Sequence, residues 1–366
     1  MTLAFLLLII DNNIKFGDIV KKLEIVIGDR TIGRHKKPFI IVEIGINHEG
    51  NYNKAVQMIK DAHDAGAECV KFQCHIVEDE MTKDAANVIP MNSEESIYKI
   101  IDRCALTEEE EIKLKKLTED LGMIYLSTPF SRAAADRLNM LGVQAYKIGS
   151  GECNNYPLIE HIAKFGKPVI LSTGMNNIDS ITPAVKIFRK YNTPYALLHC
   201  TSLYPTPYNM VRLGAIEDLN KSFPDAILGL SDHSLGNYTC FASIPLGVSI
   251  LEKHFTSNKA WPGPDIPISI DPDELRDLIS GSMAIYESLG GTKDILKEEQ
   301  PTIDFAYASV VAIDNIKKGD KLTRENVWVK RPGTGEILAK HYKTILGKTA
   351  ARDMEDDSHL EWEDIV

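Results

Sequence analysis

Two lysines and two histidines draw attention through their positions. Lys71 and Lys147 each interrupt a short apolar run, Cys69-Val-Lys-Phe-Gln73 and Ala145-Tyr-Lys-Ile-Gly149. An ammonium inside such a run is costly unless something polar or anionic meets it. Hydroxyl residues recur near the ends of other runs: Thr128, Ser150, Ser172, Ser202 and Ser231. Lysine point charges joined to oriented hydroxyl and backbone donors make a dispersed anion site, suited to a phosphate and a carboxylate on one small ligand. His233 and His254 end two neighbouring runs. Two imidazoles so placed could share one divalent ion and leave its other positions to substrate and water. Catalytic zinc usually takes more protein ligands than two, so Mn2+ or Mg2+ is the expected ion. Glu43, Glu152 and Asp265 add carboxylates able to hold hydroxyls or move protons. Asp265 lies in the stiff loop Trp261-Pro-Gly-Pro-Asp265, and His199 is read as a structural hydrogen-bonder.

These residues need a frame that brings distant strand ends together. Apolar, β-branched runs occur at 39–47, 69–73, 123–129, 145–151, 169–174, 195–202, 226–234 and 249–255. Their nearly continuous hydrophobicity is that of strands buried on both faces. Segments with helical spacing lie between them, at 54–65, 107–121, 131–141, 156–165, 178–191, 212–223, 237–246 and 271–289. In the first, Ala55, Met58, Ile59 and Ala62 form one stripe; the second opens on Thr107 with four glutamates behind it, as the positive end of a helix favours. Eight βα units predict a (β/α)8 TIM barrel, whose chemistry sits at the C-terminal strand ends. The doubly wound alternative is disfavoured, because Ile44-Gly-Ile-Asn-His-Glu-Gly50 is not a GxGxxG turn. The expected organisation is an N-terminal extension (1–30), the barrel (31–290), a linker (291–304) and a small β-rich domain (305–366). That last part carries a weak repeat: the apolar residues of 316–327 recur in 354–365 at an offset of 38, with Asp357 standing where the first copy has Gly319.

Bulk properties exclude several functions. The 366 residues are 44% hydrophobic and 25% charged, as in an ordinary globular protein. A net charge of −11 argues against nucleic-acid binding. The six cysteines form no CxxC pair and read as free thiols in a reducing cytoplasm. The apolar stretch 3–10 is too short to span a bilayer and lacks the flanks of a signal peptide, so no membrane association is expected. It reads as an added strand or as the product of a start codon placed too early.

Several strings together resemble bacterial N-acetylneuraminate (sialic acid) synthases over residues 30–366. They are Glu43-Ile-Gly-Ile-Asn-His-Glu-Gly50, Ser127-Thr-Pro-Phe-Ser131, Tyr146-Lys-Ile-Gly-Ser-Gly-Glu-Cys153, Leu171-Ser-Thr-Gly-Met175, His199-Cys-Thr-Ser-Leu-Tyr-Pro-Thr-Pro207, Gly229-Leu-Ser-Asp-His233, Glu252-Lys-His-Phe255 and Pro262-Gly-Pro-Asp265. Ala308-Ser-Val-Val311 and Trp328-Val-Lys-Arg-Pro-Gly333 resemble the family's antifreeze-like (SAF) domain. The resemblance implies a metal-dependent condensation of phosphoenolpyruvate with N-acetylmannosamine and water, giving N-acetylneuraminate and phosphate by C–O cleavage in a domain-swapped homodimer. It assigns His233 and His254 to the metal, and Lys71, Thr128, Lys147, Ser150, Ser172 and Ser231 to phosphoenolpyruvate. Glu43, Gln73, Glu152, Tyr204 and Asp265 would hold the sugar. Phe305 and Arg331 would serve the partner's site. Ser202 stands where the family carries asparagine, and it can still donate one hydrogen bond to phosphoenolpyruvate. The alternatives are a legionaminic or pseudaminic acid synthase taking a 2,4-diacetamido-6-deoxy sugar, and a carbohydrate- or ice-binding protein acting through its tail. The lysine and histidine constellation argues against the latter.

Overall fold

The structure is a computed structural model that describes residues 23–90 and 93–366. The apolar stretch 3–10 therefore lies outside the described residues. The chain divides into two compact units, with the break between Leu289 and Gly290.

The first unit opens on an antiparallel hairpin, β1 (Glu24–Ile27) and β2 (Arg30–Gly33). Eight parallel strands follow: β3 (Phe39–Gly45), β4 (Cys69–Cys74), β5 (Ile124–Pro129), β6 (Tyr146–Ile148), β7 (Val169–Ser172), β8 (Tyr195–Cys200), β9 (Ile227–Asp232) and β10 (Ile250–His254). They are hydrogen-bonded in the order β5-β4-β3-β10-β9-β8-β7-β6, and the two end strands pack side by side to close the barrel. This is the expected TIM barrel.

Strand parity divides its residues. Alternate side chains of a strand face opposite sides. Ile40, Val42 and Ile44 of β3 pack outward with the helices, while Phe39 and Ile41 face in. The lower interior is wholly apolar, with Cys69, Leu126, Ala145, Ile170, Leu198 and Ile250. Ile25, Ile27 and Ile32 of the hairpin close it from below. Packing with the barrel thus begins before residue 31, because the hairpin spans the expected boundary of the extension. Two residues further along seven of the strands the interior turns polar, at Glu43, Lys71, Thr128, Lys147, Ser172, Cys200 and Glu252, and on β9 it does so at Ser231, past Gly229.

Some elements differ from expectation. The run 145–151 is a strand only to Ile148, and Ser150–Asn154 turns as a 3-10 helix. The helix expected over 212–223 begins only at Ala215 and runs to Ser222; a separate short helix, Tyr208–Val211, precedes it and ends at Arg212, whose φ of 56° is left-handed. The long connection after β4 adds helices Val77–Glu80 and Ile97–Cys104, which periodicity did not announce. All six cysteines are buried free thiols. Among the described residues no helix is long and apolar enough to cross a membrane.

The second unit begins at Gly290 and includes a short helix, Gln300–Ala306, in the segment expected as linker. Its antiparallel pair is β11 (Ser309–Ala312) and β12 (Val327–Lys330). The weak repeat has a structural counterpart: Ile316 and Met354, equivalent at the 38-residue offset, bridge each other antiparallel. Leu322 and Leu360, the next equivalent pair, share their core.

On the outward side of β9 and β10, Lys253 and Asp232 stand opposite each other with Nζ 2.6 Å from Oδ2, and both are almost fully buried. Thr239 Oγ1 and Ser234 Oγ donate to the same carboxylate, and Lys253 donates to the Ser234 carbonyl. Asp232→Ala leaves a buried ammonium without its counter-ion, and a loss of about 3–5 kcal/mol is expected. Adding Lys253→Met should recover most of it. Urea midpoints measure both, and a double variant as unstable as the single one would refute this pairing.

Candidate active site

The polar layer opens into a cavity of about 350 Å3 at the C-terminal ends of the strands. Glu43, Lys71, Gln73, Thr128, Lys147, Ser150, Glu152, Ser172, Ser202, Tyr204, Ser231, His233 and His254 all line it. Asp265 stands behind, its Oδ2 3.8 Å from His254 Nδ1. Phe305 and Arg331 belong to the second unit, where the guanidinium carbon lies 5.7 Å from the ring centre. His199 faces outward, with Nε2 2.6 Å from the Val211 carbonyl oxygen. Asn47 ties the β3 loop to the β10 loop, donating to the Phe255 carbonyl and to Ser269 Oγ, both at 2.8 Å.

Four charges share the cavity floor. Lys71 Nζ lies 2.7 Å from Glu43 Oε2 and donates to Thr128 Oγ1 at 3.1 Å. Lys147 Nζ donates to Ser172 Oγ at 2.8 Å. Glu252 stands between the ammoniums, with Oε1 3.5 Å from Lys147 and Oε2 3.9 Å from Lys71, and it accepts from Ser231 Oγ at 3.0 Å. Burial works to lower Lys71, but the carboxylates of Glu252 and Glu43 outweigh it and raise its pKa. Burial prevails at Lys147, which is lowered. It prevails at Glu43 too, raising that carboxyl despite Lys71. At Glu252 burial pushes upward, yet Lys147 and Lys71 together hold the carboxyl below its ordinary value. Each ammonium is therefore met by carboxylate, and the Thr128 and Ser172 hydroxyls, which accept from the lysines, keep their own hydrogens for an incoming anion.

Sequence reasoning singled out both lysines but passed over Glu252. The available signal was parity: Glu252 is two residues before His254 and faces in with it, whereas the intervening Lys253 faces out.

The histidines meet across neighbouring strands with ring centres 5.4 Å apart, and Tyr204 stacks on His233 at 4.2 Å. His233 Nδ1 lies 3.0 Å from the Thr201 carbonyl oxygen, which fixes a hydrogen on that nitrogen and makes Nε2 the one that could face an ion. Burial, followed by the neighbouring His233, holds His254 well below its ordinary pKa, which favours the neutral imidazole that a metal ion needs. Its Nδ1 is buried without a hydrogen-bond partner. The pair fits a divalent ion completed by non-protein oxygens. Among the described residues no group of three or more histidine, cysteine or carboxylate side chains could hold one.

Gly174 lets the floor close. A Cβ there would sit 2.4 Å from Ser202 Oγ and 2.9 Å from Ser150 Oγ. Ser202 Oγ is buried without a partner, a donor left for a ligand.

Eight parallel strands with polar chemistry gathered at their C-terminal ends define a barrel enzyme. Residues 58–294 match the NeuB family and residues 307–366 the SAF domain. An uncharacterised protein of Methanocaldococcus jannaschii is 39% identical over 94% of this chain and 99% of its own length. The N,N'-diacetyllegionaminic acid synthase of Campylobacter jejuni is 36% identical, over 88% of this chain and 98% of that protein. A crystal structure of the N-acetylneuraminic acid (sialic acid) synthetase of Leptospira borgpetersenii, in complex with citrate, superposes with a TM-score of 0.70 at 33% identity, covering 76% of this chain and 95% of that one. The chain belongs to the NeuB family of sialic, legionaminic and pseudaminic acid synthases.

Glu152 supplies a pH test. Burial, then the nearby Glu80, pushes its carboxyl up from 4.5 to about 7. Its contribution to stability is thus full below about pH 4.5, where the unfolded carboxyl is also protonated, and is lost as pH rises toward about 7. Glu152→Gln should leave the thermal midpoint near that of the unmodified protein at about pH 4 and raise it relative to that protein at about pH 8. A difference that does not change with pH contradicts the assignment.

Proposed function

We propose that the protein condenses phosphoenolpyruvate with open-chain N-acetylmannosamine and water, forming N-acetylneuraminate and phosphate. The observation that carries this is the floor of two buried ammoniums, ringed by hydroxyls, beside a two-histidine pair in one small cavity. Lys71 and Lys147 supply charge for a carboxylate and a phosphate. Thr128, Ser150, Ser172, Ser202 and Ser231 supply donors that orient both ends. Glu43, Gln73, Glu152, Tyr204 and Asp265 face the sugar.

In the proposed reaction, C3 of phosphoenolpyruvate forms a bond to C1 of the sugar, and the aldehyde oxygen becomes a hydroxyl. Water adds at C2 and the C2–O bond to phosphate breaks. The two hydrogens of the water balance the new hydroxyl and the departing phosphate. Glu43 and Glu152 are raised above the usual carboxylate range, first of all by burial. That suits them to hold and release protons near the reacting carbons. A Mn2+ or Mg2+ ion held by His233 and His254 would supply Lewis-acid polarisation of the acceptor carbonyl. The same reading makes the protein a cytoplasmic homodimer, in which Phe305 and Arg331 serve the partner's site.

A second acceptor is favoured by one observation: the 36% identity to the Campylobacter jejuni N,N'-diacetyllegionaminic acid synthase. The alternative substrate is a 2,4-diacetamido-6-deoxy sugar. One experiment separates these readings. Purified protein with Mn2+ and phosphoenolpyruvate is offered each sugar in ¹⁸O-water, and phosphate release and product mass are followed. Faster turnover of N-acetylmannosamine, with label at C2 of the product and none in phosphate, is the expected result. Preference for the diacetamido sugar overturns the acceptor, and labelled phosphate overturns C–O cleavage.

A further inference from the structure

Beside the cavity runs a hydrogen-bonded chain whose outer members, His75 and Glu80, the proposed reaction leaves unused. Lys71 and Gln73 face in from β4, and His75 follows just past the strand end. His75 is 4% exposed. Its Nδ1 lies 2.7 Å from Glu80 Oε2, and its ring stacks on Phe130 at 4.5 Å between centres, tilted by only 15°. Phe130 itself lines the cavity. On the other side His75 Nε2 lies 3.0 Å from Gln73 Oε1, and Gln73 Nε2 donates to Glu43 Oε1 at 3.0 Å.

A glutamine amide has one accepting end and one donating end, and rotation by half a turn exchanges them. Against the Glu43 carboxylate only the NH2 end makes a bond. The carbonyl end must then find a donor on the other side, and His75 provides it if Nε2 carries hydrogen. Acceptor oxygens thus flank both ring nitrogens, and the buried ring cannot swing away from Phe130 without losing its stack.

We propose that His75, held by Glu80 and Phe130, is a positioning residue that fixes the Gln73 amide with its NH2 on Glu43 and so sets the hydrogen-bond polarity of the acceptor-sugar wall. This rests on the reading of Gln73 and Glu43 as sugar-facing residues. A buried polar group left without its partner costs on the order of 5- to 150-fold.

The test pairs kinetics with a direct view of the ring. His75→Phe keeps the stack on Phe130 and removes both nitrogens. It should raise the KM for N-acetylmannosamine about fivefold or more and leave the KM for phosphoenolpyruvate unchanged. His75→Gln, which returns a donor toward Gln73, should recover most of the loss. Equal changes in both KM values, or no recovery by His75→Gln, would mean that the ring only fills space. In protein labelled with ¹⁵N-histidine, the His75 signal should show a hydrogen-bearing Nε2 that shifts in Gln73→Leu. An Nε2 without hydrogen overturns the proposal even if the kinetic variant does not fold. If the unmodified protein turns over no amino sugar, the reaction fails while the nitrogen spectrum still decides the orientation.

Discussion

An ammonium inside a β-barrel persists only where its charge is met, and Lys71 and Lys147 are met by Glu43 and Glu252. Every other feature of the site depends on that arrangement. Taking four charges out of water is unfavourable, and their mutual attraction repays it only with good geometry and further hydrogen bonds. Thr128, Ser172 and Ser231 provide those bonds from three other strands. The resulting floor resembles an anion site whose anion is supplied internally. A doubly anionic substrate would enter as a competitor for the lysines, with Glu252 as the carboxylate it must outbid.

The rest of the barrel makes that layer possible. The apolar lower interior, sealed by the β1–β2 hairpin, gives a rigid base directly beneath the charges. Because parity is fixed by pairing register, one residue of slip on β4 or β10 would send Lys71 or Glu252 to the helix side. The outward pair Lys253–Asp232 shows the opposite solution on the same two strands: a buried charge held for structure and kept out of the cavity. Neighbouring charges on β10 thus serve different purposes because they face different ways.

The fold was largely legible because apolar runs and helical stripes alternate eight times, and burial of both sheet faces leaves that pattern little ambiguity. The lysines were legible for the same reason: an isolated charge in an apolar strand must have a partner. Glu252 was passed over although its parity with His254 marks it, because Glu252, Lys253 and His254 are adjacent ionisable residues of which only alternate ones face in. The late start of the helix at Ala215 escaped notice because a left-handed arginine carries no compositional mark. The hairpin escaped because its short strands, with Ile25, Ile27 and Ile32, gain their burial from distant strands rather than from local pattern. The sugar-holding roles of Tyr204 and Asp265 came from the family strings. Their neighbours, His233 and His254, come together only in three dimensions.

The central claim is that the charged floor receives phosphoenolpyruvate, and calorimetric titration of that ligand tests it most directly. Lys147→Met keeps most of the unbranched side chain and removes the charged end. Phosphoenolpyruvate should bind this variant at least about tenfold more weakly, the loss expected when a charged hydrogen-bond partner worth about 1.5–3 kcal/mol is removed. Unchanged affinity in a folded variant would contradict the account.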